Sequence, residues 1–242
     1  MGGSVTQTAA PKLSGVMSRP LLYTYRRCPY AMRARMALLM AGVSFDAYEI
    51  VLRDKPLAML SASPKGTVPV LVLPDGRVLE QSWDIVAWAL SHENAGAQAQ
   101  EAWRQSQTPQ NQQLLRINDS RFKHHLDRYK YPERFANQET ANGTHQAQHA
   151  HRSQAVQALL EPLEQYLAEG EFSGGAKPCA TDIGIFPFVR QFAAVDPEWF
   201  DTLHLVRVQA WLAHWKQSTL FGACMKKLPS NVQVCYSSQL PV

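Results

Sequence analysis

Leu21-Leu22-Tyr23-Thr24-Tyr25-Arg26-Arg27-Cys28-Pro29-Tyr30-Ala31-Met32-Arg33-Ala34-Arg35-Met36-Ala37-Leu38-Leu39-Met40 is the stretch whose reading decides the fold. Its first five residues are short, apolar and aromatic, as a buried strand requires. Arg26-Arg27-Cys28-Pro29 breaks that run, and residues 30–40 continue as a helix that closes at Gly42. Pro29 suits the first turn, where its missing N–H leaves no bond unmade. Working outward, residues 45–52 read as a strand, the stretch near 56–60 as short helix or irregular chain, and residues 68–73 as an apolar strand. Pro74-Asp75-Gly76-Arg77 is a turn signal, so Val78-Leu79-Glu80 pairs back as a hairpin. Gln81-Ser82 then opens a helix carrying Trp83, Ile85, Val86, Trp88, Ala89 and Leu90. Ser82 is read as its N-cap, and Asp84 complements its dipole. The order is β-α-β-α-β-β-α.

Residues 93–98 look like a linker, and helical periodicity takes over after Glu101. Leu114, Leu115, Phe122, Leu126 and Tyr129 recur on one face, and Pro132 interrupts the run. Residues 151–168 form another amphipathic helix, which Pro162 kinks or breaks. After the turn Phe172-Ser173-Gly174-Gly175, residues 182–192 give a helix apolar on most sides. Residues 205–215 and 219–227 supply two more. The expected organisation is a flexible segment 1–18, an α/β domain 19–93, an all-helical domain 101–230 and a tail 231–242.

With 24 basic and 20 acidic residues among 242, the net charge of +4 is too balanced to indicate a nucleic-acid partner. No apolar run approaches the ~20 residues that span a bilayer, so no membrane partner is expected. Cys28, Cys179, Cys224 and Cys235 are scattered without a CxxC pair. That pattern suits reduced thiols and a cytoplasmic location.

Three motifs carry a resemblance: Cys28-Pro29-Tyr30-Ala31, Thr67-Val68-Pro69-Val70, and Leu79-Glu80-Gln81-Ser82-Trp83-Asp84-Ile85. In this order and spacing the chain resembles the cytosolic glutathione transferases from Leu21 to about Leu228. Within them it is most similar to the cysteine-type, glutaredoxin-like (omega) members. The resemblance implies a thioredoxin-like N-terminal domain followed by a helical domain, glutathione as co-substrate, no metal, and a homodimer joining domain one of one chain to domain two of the other. It further implies a cis Val68–Pro69 bond whose exposed backbone pairs with the cysteinyl part of glutathione, beside Pro29 and Tyr30. Gln81 and Ser82 match the pair that receives the γ-glutamyl carboxylate, for which a helix N-terminus is a ready anion site.

Cys28 has a physical case of its own. At a helix start the dipole and open amides favour thiolate, and Arg26, Arg27 and Arg33 are expected to add positive potential. Ala31 stands where dithiol relatives carry a second cysteine, so redox chemistry here is monothiol. Two second substrates are compatible: a glutathione mixed disulfide attacked at Cys28, or a small electrophile attacked by glutathione itself, polarised by Tyr23, Tyr25 or Tyr30. A non-catalytic protein-interaction module on the same fold is the alternative from another class; retention of Cys28, Gln81 and Ser82 favours the enzyme.

In this family the first long helix of domain two walls the electrophile pocket, which makes Phe122, His125 and Tyr129 its candidate lining. Pro178-Cys179-Ala180-Thr181-Asp182 resembles the family's capping box, with Cys179 at the cap and Asp182 reaching back to its backbone. His145, His149 and His151 share a helix but lack an acidic or thiol neighbour, so a solvated polar helix is expected there. Trp199, Trp211 and Trp215 read as core or interface residues.

Overall fold

A computed structural model describes residues 18–93, 95–135 and 144–236. Strand β1 (Leu21–Thr24) leads into α1 (Pro29–Met40), then β2 (Phe45–Glu49), α2 (Leu57–Ala62), β3 (Val70–Val72), β4 (Val78–Leu79) and α3 (Ser82–Ser91). This is the expected β-α-β-α-β-β-α order. β1 and β2 are parallel, with Leu22 opposite Ala47, which the α1 crossover permits. β3 lies antiparallel on the other side of β1, and β4 returns beside β3 through the turn where Gly76 takes φ 85°.

α1 buries nearly its whole length, from Pro29 to Leu39, and takes even Arg33 and Arg35 out of solvent. A helix covered on every side belongs between two layers. One side of α1 meets the sheet through the shared core of Leu22, Met32 and Leu71, and the other side meets the helical half.

That half comprises α4 (Ala97–Gln105), α5 (Pro109–Ile117), α6 (Lys123–Lys130), α7 (Thr144–Ala155), α8 (Glu161–Tyr166), α9 (Ala180–Ala193), α10 (Pro197–Asp201), α11 (Val206–Gln217) and α12 (Thr219–Cys224). A π turn, Asn118–Phe122, joins α5 to α6, and a second, Val156–Leu160, joins α7 to α8. Pro162 sits in the first turn of α8 and offers no N–H to the carbonyl of Ala158. The kink expected at Pro162 therefore appears as a widened turn just upstream.

α9 is the hub of the helical half. Cys179 is its N-cap, and Asp182 Oδ2 accepts from Cys179 N at 2.8 Å, the carboxylate half of the expected box. Asp182 Oδ1 also accepts from Ser173 N at 2.9 Å and from Trp211 Nε1 at 2.8 Å, so one buried carboxylate ties α9 to the preceding turn and to α11. Trp211 and Trp215 are core residues packed around Phe186, and Trp199 packs at the edge against Phe192.

Residues 231–242 are expected from the sequence to be a tail without regular structure. The structure instead has β5 (Gln233–Tyr236) antiparallel to β2, extending the sheet to the order β4-β3-β1-β2-β5. Tyr236 stacks on Phe45 at 5.2 Å, and its hydroxyl donates to Ala223 O. The chain thus returns from the helical half to complete the first sheet. Residues 1–17 and 237–242, which belong to the expected termini, lie outside the described residues.

Candidate active site

A cleft of about 1010 Å³ opens between the two halves. Cys28, Pro29, Tyr30, Val68, Pro69, Gln81 and Ser82 all line it, so the fold brings together residues from three separate stretches of chain. A side recess of about 280 Å³ adjoins it, shared by Cys28, Lys123, Asp127, Tyr131, Arg134 and Phe135.

Cys28 is the N-cap of α1 and half-buried, with Sγ 3.8 Å from Val68 O on the cis Val68–Pro69 peptide. The loop that presents it is pinned from beneath. Buried Arg35 donates to Thr24 Oγ1 and, at 2.8 Å, to Arg26 O, while Glu49 Oε1 accepts from Arg26 N at 2.7 Å. Burial pushes the Cys28 thiol up, and the amides of Ala31 and Tyr30 together with the charges of Arg35 and Lys123 oppose that shift. The cations acting on the thiol are therefore Arg35 and Lys123; of the arginines expected to do so, Arg27 turns to Tyr25 Oη at 2.7 Å, and Arg33 is engaged by Gly184 O and Asp119.

Arg33 organises the cleft floor. Its Nε donates to Gly184 O at 2.9 Å, and its two terminal nitrogens clasp Asp119 at 2.9 and 2.6 Å. Nη1 also donates to Ser82 Oγ at 3.2 Å. A bidentate pair of this kind, with its guanidinium buried and its carboxylate open to the cleft, fixes orientation as well as charge. The N-cap of α3 is Gln81 rather than the expected Ser82, and neither side chain closes the helix end, so the first amides of α3 face the cleft uncapped.

Of the expected polarising tyrosines, Tyr23 is buried in the sheet beside Tyr48, where burial pushes its hydroxyl up. Tyr25 and Tyr30 reach the cleft. The Tyr30 hydroxyl is pushed up to about 12 by burial and by the nearby Asp119 carboxylate, which keeps it a hydrogen-bond donor.

Phe122, His125 and Tyr129 do not line the cleft, which corrects the pocket assigned to them. Phe122 and Tyr129 are buried against Phe192, at 5.6 and 5.2 Å between ring centroids. His125 faces α7, with Nδ1 2.8 Å from His151 Nδ1. The wall is made instead by Asp119, Lys123, Asp127 and Lys130, the adjacent stripe of the same helix. The reason is the core, which draws Phe122 and Tyr129 onto Phe192 of α9. Apolar residues follow the core, and the polar stripe left over becomes the wall. A polar face interrupted by an aromatic-basic segment, 130–135, was the available signal.

The comparisons with known proteins agree with this architecture. The model of the glutathione S-transferase N-terminal domain matches residues 22–98, and that of the C-terminal domain matches residues 146–214. The chain belongs to the glutathione S-transferase family. Over 80 residues it is 41% identical to a probable glutathione S-transferase of Zea mays, an alignment covering 29% of this chain and 32% of that protein. A probable glutathione transferase of Aplysia californica is 40% identical over 55 residues, 23% of this chain and 60% of the relative. The alignments thus span less than two thirds of either relative. Among solved structures, a glutathione transferase family member from Pseudomonas fluorescens with two glutathione bound superposes with a TM-score of 0.67 at 17% identity, covering 86% of this chain and 92% of the other. No described helix is long and apolar enough to cross a membrane.

Proposed function

We propose that this chain is a glutathione-dependent transferase that carries glutathione through Cys28 in a monothiol exchange. The observation that carries the reading is the position of Cys28: Sγ at the open end of α1, beside Val68 O, in the cleft that also holds Gln81 and Ser82. In this reading the Val68 backbone pairs with the cysteinyl unit of glutathione, and the uncapped amides of α3 with Gln81 and Ser82 receive its γ-glutamyl carboxylate. The Cys28 thiolate attacks the glutathione sulfur of a mixed disulfide R–S–SG, forming Cys28–S–SG and releasing RS⁻, which takes up a proton. A glutathione thiolate then attacks Cys28–S–SG, regenerating Cys28 and releasing oxidised glutathione. No other cysteine lines the cleft to resolve the intermediate within the chain: Cys179 and Cys224 are buried, and Cys235 lies on β5.

A second reading, conjugation, draws on a different observation. Burial keeps the Cys28 thiol protonated and donating to Val68 O. Such a thiol can donate to the sulfur of bound glutathione while that sulfur attacks an electrophile. A cytoplasmic homodimer belongs to the same proposal, and exposed Val51, Leu52 and Leu57 beside α2 offer it apolar surface.

Mass spectrometry after incubation with oxidised glutathione, wild type beside Cys28→Ser, separates the readings when paired with a thiol-transfer assay on a glutathionylated small thiol. One glutathione on Cys28 with turnover, both absent in Cys28→Ser, supports exchange. Turnover of an electrophile by Cys28→Ser without any thiol transfer in wild type replaces exchange by conjugation. Sedimentation equilibrium tests the dimer.

A further inference from the structure

Among the described residues, the flank of α6 turned away from the cleft carries a cluster of three ligating side chains. His124 and His125 of α6 meet His151 of α7, and one ligand nitrogen of each lies within 4.8 Å of the others. Nδ1 of His125 stands 2.8 Å from Nδ1 of His151. The His124 ring approaches both edge-on, at 4.9 Å from His125 and 5.9 Å from His151 between centroids.

Two neutral imidazoles meeting through Nδ1 share one hydrogen, with one ring donating and the other accepting. Moving that hydrogen to the donor's own Nε2 turns both lone pairs toward the same point. Nitrogens on a tetrahedral ion at about 2.0–2.1 Å stand about 3.3 Å apart, so the pair opens by about half an ångström to admit one. Arg128 Nη1 lies 3.0 Å from His124 Nδ1. A guanidinium only donates, so the Nδ1 lone pair of His124 is held by Arg128, and ligation through that nitrogen displaces this hydrogen bond. His124 is exposed, which leaves a fourth ligand position to water. An all-imidazole donor set suits zinc, nickel or copper rather than calcium or magnesium. Arg128 also brings positive charge to the cluster, which opposes a dication and places the affinity below that of a closed four-ligand site.

We propose that His124, His125 and His151 bind one divalent transition-metal ion across the α6–α7 junction. The ion ties α7 to the helix whose other face carries Lys123 and Asp127 into the cleft. The inference is independent of the chemistry assigned to Cys28.

The test is titration of the tag-free, EDTA-treated full chain with zinc chloride against a chromophoric competitor. One zinc per chain is expected, unchanged in Cys28→Ser and lost in the double variant His125→Gln/His151→Gln. His124→Ala, which alters an exposed side chain, weakens binding about tenfold or more. The thermal midpoint of wild type rises with zinc, because the ion binds the folded chain. The proposal is overturned by absence of saturable uptake in the micromolar range, by uptake that His124→Ala leaves unchanged, by uptake that survives the double variant, or by uptake that Cys28→Ser removes. Should the double variant fail to fold, as judged by circular dichroism, His124→Ala decides.

Discussion

Two helices in this chain begin on a cysteine in extended conformation: Cys28 caps α1 at φ −74°, ψ 123°, and Cys179 caps α9 at φ −124°, ψ 179°. Both thiols meet the positive end of a helix dipole, yet their surroundings differ. Cys28 opens on a cleft, where the charges of Arg35 and Lys123 partly offset the effect of burial. Cys179 is fully buried beside the Asp182 carboxylate, and burial together with that charge pushes its thiol up to about 12. A helix start does not make a reactive cysteine; the sign of the next charge and access to solvent decide. The first thiol opens on the cleft, and the second is sealed into the core at the start of α9.

Four experiments break or sharpen this contrast, starting from the largest effect. In native protein, iodoacetamide with peptide mapping labels Cys28 and exposed Cys235, whereas Cys179 labels only on unfolding. Burial and the Asp182 charge push the Cys179 thiol up to about 12, so at neutral pH almost none of it is the reactive thiolate. Equal labelling of Cys179 and Cys28 would dissolve the contrast.

Asp182→Asn strikes the structural end directly. The amide puts a donor where Cys179 N, Ser173 N and Trp211 Nε1 all donate, and a loss of about 3 kcal/mol in urea unfolding is expected. Gly184→Ala links the two ends, since Gly184 O receives Arg33, which holds Ser82. A Cβ there falls 2.7 Å from Leu115 Cδ2 and 2.9 Å from Trp83 Cζ3. Overpacking of about 2 kcal/mol is expected, read as a lower denaturant midpoint at unchanged slope.

The smallest effect concerns pH. Because burial raises the Cys28 thiol, its alkylation rate climbs with pH to a midpoint above that of a free thiol. Lys123 lowers that midpoint, so Lys123→Gln moves it higher still and slows alkylation at pH 7 by about threefold. A midpoint unmoved by Lys123→Gln removes Lys123 from the thiol's environment.

The first domain was legible in the sequence because its signals are local: a β-prone run ending at Arg26, a proline at a helix start, a turn at Asp75-Gly76 and a helix opening at Gln81-Ser82. β5 escaped notice because four residues with one buried side chain, Tyr236, give almost no alternation to read. The pocket wall was misplaced for a different reason. The spacing of Phe122, His125 and Tyr129 gives one side of a helix, but which side meets the core and which the cleft is set by the helices packed against it.

By itself, then, the sequence determined the order of elements, Cys28 at a helix start, the cis Val68–Pro69 bond expected from the resemblance, and the carboxylate that closes the start of α9. The cis bond rests on the resemblance; the others depend on residues within a few positions of one another, where backbone sterics and local hydrogen bonds act. Only the tertiary structure decided which cations face Cys28, that Arg33 reaches Asp119, 86 residues away, as well as Ser82, and that His151 meets two histidines of another helix. Those pairings follow from how buried helices pack, and side-chain electrostatics depends on distance in space rather than along the chain.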